Sequence, residues 1–255
     1  MVEAFAVASG KGGTGKTTST LALGMALSED HDVTVVDGDT GMANLLFHAG
    51  LDDVDVTLHD LLVEETGTTV AEATYDRFGL SVVPCGTSLA AFAEADPARL
   101  RDVVADLAAD TDVILLDSPA ALGSKSAVLP IVLADRVVVV VQPTIPALSD
   151  GLKVQEYARS YGTDVAGVLF NKVRERADRV AEQAERRFGG QTLAQVPATE
   201  VARDARRAGK PLLAHAPESD AAAAYRQAAE RIDVRDGDET GVADRFRSAV
   251  APDTP

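Results

Sequence analysis

Residues 4–27 read Ala4-Phe5-Ala6-Val7-Ala8, then Ser9-Gly10-Lys11-Gly12-Gly13-Thr14-Gly15-Lys16-Thr17-Thr18, then Ser19-Thr20-Leu21-Ala22-Leu23-Gly24-Met25-Ala26-Leu27. An apolar strand-like run, a glycine-rich turn and a helix-like segment, in that order, are the setting of a phosphate loop. Gly10 through Thr17 satisfies G-x-x-x-x-G-K-S/T at each fixed position. The glycines let backbone N–H groups curl around phosphate oxygens, and the helix adds the positive end of its dipole. In this pattern Lys16 reaches the β- and γ-phosphates and the Thr17 hydroxyl faces Mg²⁺.

A second pattern lies on the same residues. Gly10, Gly12 and Gly15 also satisfy G-x-G-x-x-G, the dinucleotide fingerprint, which expects an acidic residue roughly 20 positions later. Asp37 falls near that position. Lys16-Thr17 has no task in a dinucleotide site, whereas a nucleoside triphosphate with Mg²⁺ needs both, so the triphosphate reading is preferred.

Composition narrows the setting. At 255 residues and 46% apolar content, the chain can bury a sizeable core as one large α/β domain or two small ones. No apolar run approaches the ~20 residues of a membrane span; the longest, Ala127 to Val141, is broken by Pro130 and by Asp135-Arg136. The N-terminus carries Glu3 and no basic region, unlike a signal peptide. A single cysteine, Cys85, excludes an internal disulfide framework and paired-cysteine metal or iron–sulfur sites, so the expected location is cytoplasmic. Net charge −16, from 24 basic against 40 acidic residues, gives a self-repelling surface that a high-salt cytoplasm would screen. Nucleic acid could then bind only through a local basic patch.

Apolar strand-like runs alternate with helix-like stretches along most of the chain. After the first strand come Val33-Thr34-Val35-Val36, Leu80-Ser81-Val82-Val83-Pro84, Val113-Ile114-Leu115-Leu116, Val137 to Val141, Val165 to Phe170, and Thr192 to Val196. A helix is expected over Pro97 to Ala109. Runs buried on both faces and separated by helices predict an α/β fold with a mostly parallel, twisted sheet of about seven strands flanked by helices. One domain is expected over residues 1–232, followed by an acidic, flexible tail over 233–255.

In open α/β sheets, ligands sit outside the carboxyl ends of the strands. Asp37 and Asp39 follow one strand and Asp117 follows another. An apolar strand ending in Asp is the Walker B arrangement that holds Mg²⁺. Asp39 could orient an attacking water, although spacing alone does not choose between Asp37 and Asp39.

The residues now point to a family. Lys11-Gly12-Gly13-Thr14-Gly15-Lys16-Thr17 resembles the deviant Walker A motif, K-G-G-x-G-K-S/T, of the MinD/ParA ATPases, in which the extra lysine crosses a dimer interface to the other subunit's nucleotide. Asp37-Gly38-Asp39-Thr40-Gly41-Met42-Ala43-Asn44-Leu45 resembles that family's first switch. Leu115-Leu116-Asp117-Ser118-Pro119-Ala120 resembles its Walker B and second switch, with Ala121 replacing the glycine of D-S-P-A-G. Val168 to Val173 is similar to the strand whose asparagine, here Asn171, recognises adenine. Gln195-Val196-Pro197 is similar to the loop that borders the base, and Ala208 to Leu212 to a G-K-P segment. The match runs from residue 2 to about 232.

The resemblance implies a P-loop NTPase fold with ATP and Mg²⁺ as cofactors. It implies phosphate contacts from Gly10 to Thr18, Mg²⁺ near Thr17, Asp37 and Asp117, and catalysis by Lys11, Lys16 and Asp39. It also implies an ATP-dependent homodimer that hydrolyses slowly until a protein activator or cargo engages it. A MinD-like spatial regulator of a division site, cell pole or motility apparatus is the leading expectation. A ParA-like partition ATPase and an ATP-dependent switch with negligible turnover are the alternatives. Membrane attachment at the inner face would use Val242, Phe246 and Val250, at i, i+4 and i+8 in an acidic tail. DNA contact would use Arg203, Arg206, Arg207 and Lys210, opposed by Asp204. His31, His48, His59 and His215 show no metal-ligand spacing.

Overall fold

Eight strands lie in one sheet among the described residues: β1 (Glu3–Ala8), β2 (Val33–Asp37), β3 (Tyr75–Arg77), β4 (Leu80–Val83), β5 (Val113–Asp117), β6 (Arg136–Val141), β7 (Asp164–Val173) and β8 (Thr192–Pro197). The computed structural model describes residues 2–51, 53–64, 67–120, 125–175, 178–238, 242 and 246. Strand order is β3-β4-β2-β5-β1-β6-β7-β8, parallel throughout except for β3.

Period-two alternation distributes the strands between two apolar layers. Ala4, Ala6 and Ala8 face one layer with Ile114, Leu116, Val137, Val139 and Val141. Phe5 and Val7 face the other with Val113, Leu115, Val138 and Val140. The first layer is covered by α3 (Leu58–Leu61), α5 (Leu100–Leu107), α6 (Lys125–Leu133), α7 (Ile145–Tyr161) and α8 (Asp178–Phe188), with α4 (Leu89–Glu94) at the rim. The second is covered by α1 (Lys16–Leu27), α2 (Leu45–His48), α9 (Val201–Arg207), α10 (Leu212–His215) and α11 (Asp220–Arg231). Helix α1 is buried nearly all round: Leu21, Leu23 and Leu27 pack on the sheet layer, and the Ser19 hydroxyl meets the Tyr225 hydroxyl of α11 at 2.9 Å.

Two expectations shift. The sheet has eight strands rather than about seven, because β3 pairs antiparallel with β4 at the edge. Three half-exposed or exposed residues carry no apolar signature that could announce a strand. The helix expected from Pro97 begins as a 3-10 turn, Pro97–Arg99, whose first turn is capped by the Asp96 carboxylate on Ala98 N at 2.9 Å; the α-helix starts at Leu100.

Beyond α11 the chain crosses beneath the sheet. Arg235 N donates to Glu3 Oε2 at 2.6 Å, Gly237 N to Val2 O at 3.0 Å, and Asp238 N to Asp135 Oδ1 at 2.8 Å. Phe246 is buried under the Arg101 guanidinium, with Val242 packed on the same layer, so these two apolar residues rest on the domain. Val250 lies outside the described residues.

Glu3 anchors this crossing. Its carboxylate is buried and takes Arg136 Nε at 2.6 Å and Nη2 at 2.9 Å, while the guanidinium lies over the Phe5 ring at 5.0 Å. Removing one partner of a buried ion pair leaves an uncompensated charge. Glu3→Gln is therefore expected to lower unfolding stability by about 3 kcal/mol in urea titration, and Glu3→Gln with Arg136→Met to recover part of that loss.

Candidate nucleotide site

The Gly10–Thr17 loop leaves the carboxyl end of β1, between β5 and β6, and enters α1. Gly15 is the N-cap of α1 at φ 97°, a left-handed conformation that glycine adopts without steric cost. A Cβ there would strike the Asn171 side-chain amide.

Neighbouring strands hold the loop by its carbonyls. Asn171 Nδ2 donates to Thr14 O at 2.9 Å, Lys172 Nζ to Gly13 O at 2.6 Å, and Gln142 Nε2 to Gly13 O at 3.4 Å. Ser9 Oγ donates to Lys11 O at 2.8 Å. The donors are treated differently. Among the described residues, no acceptor meets the backbone N–H groups of residues 12–18. Pinned carbonyls and open amides at a helix N-terminus make an anion cradle. Among the described residues the buried hydroxyls of Thr14 and Ser118 also lack partners, leaving further polar groups for a bound oxyanion or its water.

The carboxylates stand beside the cradle. Asp37 and Asp117 end β2 and β5 and are register partners in adjacent strands. Asp117 accepts Thr17 Oγ1 at 2.6 Å and Thr20 Oγ1 at 2.9 Å. Asp37 accepts Asp39 N at 3.2 Å and Leu45 N at 3.3 Å, which shapes the turn between β2 and α2. Asp39 is half-buried and accepts Met42 N at 3.2 Å. The Cys85 thiol donates to Asp37 O at 3.1 Å; its place is a buried strand end, as a small apolar residue would occupy.

Electrostatics sharpen the picture. Burial pushes the Asp37 carboxyl well above its usual range; Asp117 and Asp39 push it further, against the two backbone N–H groups. Burial also raises Asp117, while Lys16 and the Thr17 and Thr20 hydroxyls favour its anion. Asp39 is raised by burial and lowered by Lys16 and Met42 N. Lys16 is buried among these groups. Lys11 is half-exposed, and among the described residues its ammonium has no hydrogen bond or ion pair. A protein alone would not gather such buried carboxylates; a cation would offset their repulsion.

Thr17, Asp37 and Asp117 are an all-oxygen set suited to a hard divalent cation. Among the described residues no cluster of three His, Cys, Asp or Glu could hold a metal. Asn171 spends its amide on the loop, and Pro197 stands half-exposed at the end of β8, three strands from β1. Ala121 and the rest of residues 121–124 lie outside the described residues. Three contributors went unassigned in the sequence: Thr20, Gln142 and Lys172. Thr20, one turn beyond Lys16, was the most legible of them; Lys172 sits at φ 57°, a conformation that no local pattern announces.

The CobQ/CobB/MinD/ParA nucleotide-binding domain matches residues 5–212. The chain belongs to that family. An ATP-binding protein of Methanocaldococcus jannaschii is 35% identical over 235 residues, spanning 91% of this chain and 88% of its own length. The cell-division ATPase MinD of Pyrococcus furiosus superposes with a TM-score of 0.83 at 36% identity, covering 91% of this chain and 99% of its own. The septum site-determining protein MinD of Pyrococcus horikoshii, solved with Mg-ADP, superposes with a TM-score of 0.83 at 34% identity, covering 91% and 96%. These MinD/ParA-family relatives share the fold described above.

The Asp37 shift has a measurable consequence in this MinD/ParA-family chain. In the unfolded chain Asp37 ionises near 3.8, whereas the folded protein holds the proton to higher pH. Between those values the folded state binds more protons, so this group's contribution to stability falls as pH rises. Asp37→Asn removes that slope. The ligand-free variant is expected to melt above the unsubstituted protein at neutral pH, by roughly 5 °C, with the difference shrinking toward acid. A lower melting temperature at neutral pH would contradict this.

Proposed function

We propose that the chain is a MinD-like ATPase that binds Mg²⁺·ATP, dimerises on it and hydrolyses it slowly, acting as a spatial regulator. One observation carries the reading: the loop's amides stand open while its carbonyls are pinned, beside a Thr17–Asp117 pair in register with Asp37. When bound, Mg²⁺·ATP supplies the phosphoanhydride and a cation that spreads its charge. The N–H groups of residues 12–18 bind and orient the phosphates, and buried Lys16 offsets charge on the β- and γ-oxygens. Thr17, Asp37 and Asp117 hold the cation side, and Asp39, within reach of the Lys16 field, orients the attacking water.

The dimer part of the reading rests on two further features. Among the described residues the Lys11 ammonium, in the loop, has no hydrogen bond or ion pair. Met42, Leu89 and Ile145 are 70%, 83% and 85% exposed, and Phe92 is 44% exposed. They follow β2, β4 and β6, whose carboxyl ends lie on the same face as the loop. Apolar side chains on that face suit burial against a second copy. In the dimer, Lys11 adds a second positive charge to the partner's phosphates, as an arginine finger does, and hydrolysis then depends on assembly.

Lys11→Ala is expected to keep ADP affinity but to lose ATP-dependent dimerisation in light scattering and at least about 100-fold of the hydrolysis rate. Full activity and normal dimerisation in Lys11→Ala would refute the reading. Leu89→Glu, in α4 and outside the phosphate loop, is expected to bind ADP normally and remain monomeric with ATP.

A further inference from the structure

A second cavity, about 660 Å³, lies between the end of α2, the β3–β4 turn and the α9–α10 turn. It is lined by Phe47, Arg77, Phe78, Arg206, Arg207 and Lys210, with Asp76 among its acidic neighbours. Its strand residues sit at the amino end of β4, away from the phosphate loop at the carboxyl ends. The three segments meet closely: Gly50, at φ 63°, would bring a Cβ to 2.6 Å of Gly209 O.

The charge of this cavity opposes that of the whole molecule. Four of the chain's 24 basic residues line it, in a protein of net charge −16. Arg207 pairs with Asp204 at 3.3 Å across solvent. Among the described residues, Arg77, Arg206 and Lys210 have no ion pair. The dipole at the C-terminus of α9 accounts for Arg206 and Arg207; Arg77 comes from another element and has no such explanation. Arg203 pairs with Glu200 and does not line the cavity.

The turn that carries Arg77 is built against local preference. Arg77 pairs with Leu80, so Phe78 and Gly79 form a two-residue turn at φ 54° and 79°. Such turns favour Asn-Gly, and an aromatic residue in the left-handed region costs about 1 kcal/mol or more. Phe78 nevertheless stands there and lines the cavity, as does Phe47, which is 47% exposed. Strain kept at a concave, cationic surface points to recognition.

We propose that this cavity binds an acidic peptide segment of a partner protein, its carboxylates meeting Arg77, Arg206 and Lys210 and an apolar anchor seated between Phe47 and Phe78. A nucleic acid fits less well. A cavity of this size holds a few side chains, and a polyanion extending past it would meet Asp76, Glu200, Asp204 and the acidic surface beyond. Carboxylate–guanidinium pairing supplies orientation, and the rings supply an apolar floor.

The test is fluorescence anisotropy with a short fluorescein-labelled peptide, rich in glutamate and aspartate around a central phenylalanine. A lysine-rich counterpart and a single-stranded oligothymidine serve as the other probes. The acidic peptide is expected to bind saturably, more weakly as salt rises. Its affinity should fall at least about tenfold in Arg77→Glu and in Arg206→Glu, while Arg203→Glu on the same helix changes it little. Phe78→Asn suits the turn better, so it should keep or raise the melting temperature while weakening the peptide, which a purely structural role would not do. No saturable binding, equal binding of the basic peptide, or unchanged affinity in Arg206→Glu would overturn the proposal. Tighter binding of the oligonucleotide, lost in the same variants, would assign the cavity to nucleic acid instead. ADP binding at the phosphate loop should be unaffected by all four substitutions.

Discussion

Two buried carboxylates, Asp37 and Asp117, end adjacent parallel strands side by side, and much of the rest follows from that placement. Like charges removed from water repel strongly, so each is compensated locally: Asp117 by the Thr17 and Thr20 hydroxyls, Asp37 by the Asp39 and Leu45 amides. Compensation ties α1 to β5 and the start of α2 to β2. The same hydrogen bonds therefore set the helix that carries Lys16 and Thr17 and the turn that carries Asp39. The carboxylates are poised for a cation, and the ligand-free fold bears the repulsion.

The cradle is preorganised by a division of labour among backbone groups. Strand ends β6 and β7 supply Gln142, Asn171 and Lys172, which hold Gly13 and Thr14 by their carbonyl oxygens. Among the described residues the amides of residues 12–18 meet no acceptor, which gives the loop the form of an anion cradle. Lys172 contributes a positive charge behind the loop as well as a tether. Membership of the MinD/ParA nucleotide-binding family agrees with this construction.

The motifs that report local chemistry were legible from the chain. The phosphate loop, the strand ends at Asp37 and Asp117 and the alternating apolar runs depend on near-neighbour spacing, and the parallel sheet with flanking helices emerged from them. What escaped was set by distant contacts. Strand β3 exists because Leu80 and Val82 offer an edge to pair with; Tyr75–Arg77 alone carries no strand pattern. Gln142 and Lys172 act because the sheet order brings β6 and β7 beside β1. Likewise, Phe246 looked like part of an outward apolar face by its spacing, yet its burial under Arg101 depends on where the crossing segment ends. Arg77 joins Arg206 and Lys210 only through the fold, so the basic segment read from the sequence was one wall of a cavity.

Lys11 distinguishes an ATPase complete in one chain from one completed by a second copy. Mixing two inactive variants tests this most directly: Lys11→Ala, which retains its own Asp39, and Asp39→Ala, which retains its own Lys11. In a two-fold dimer, each mixed pair contains one site with both groups. An equimolar mixture should regain hydrolysis well above either variant alone, because each mixed pair keeps one bridging Lys11 and one complete site of two. A mixture as inactive as either variant alone, or an active Lys11→Ala by itself, would contradict a lysine that acts across the interface.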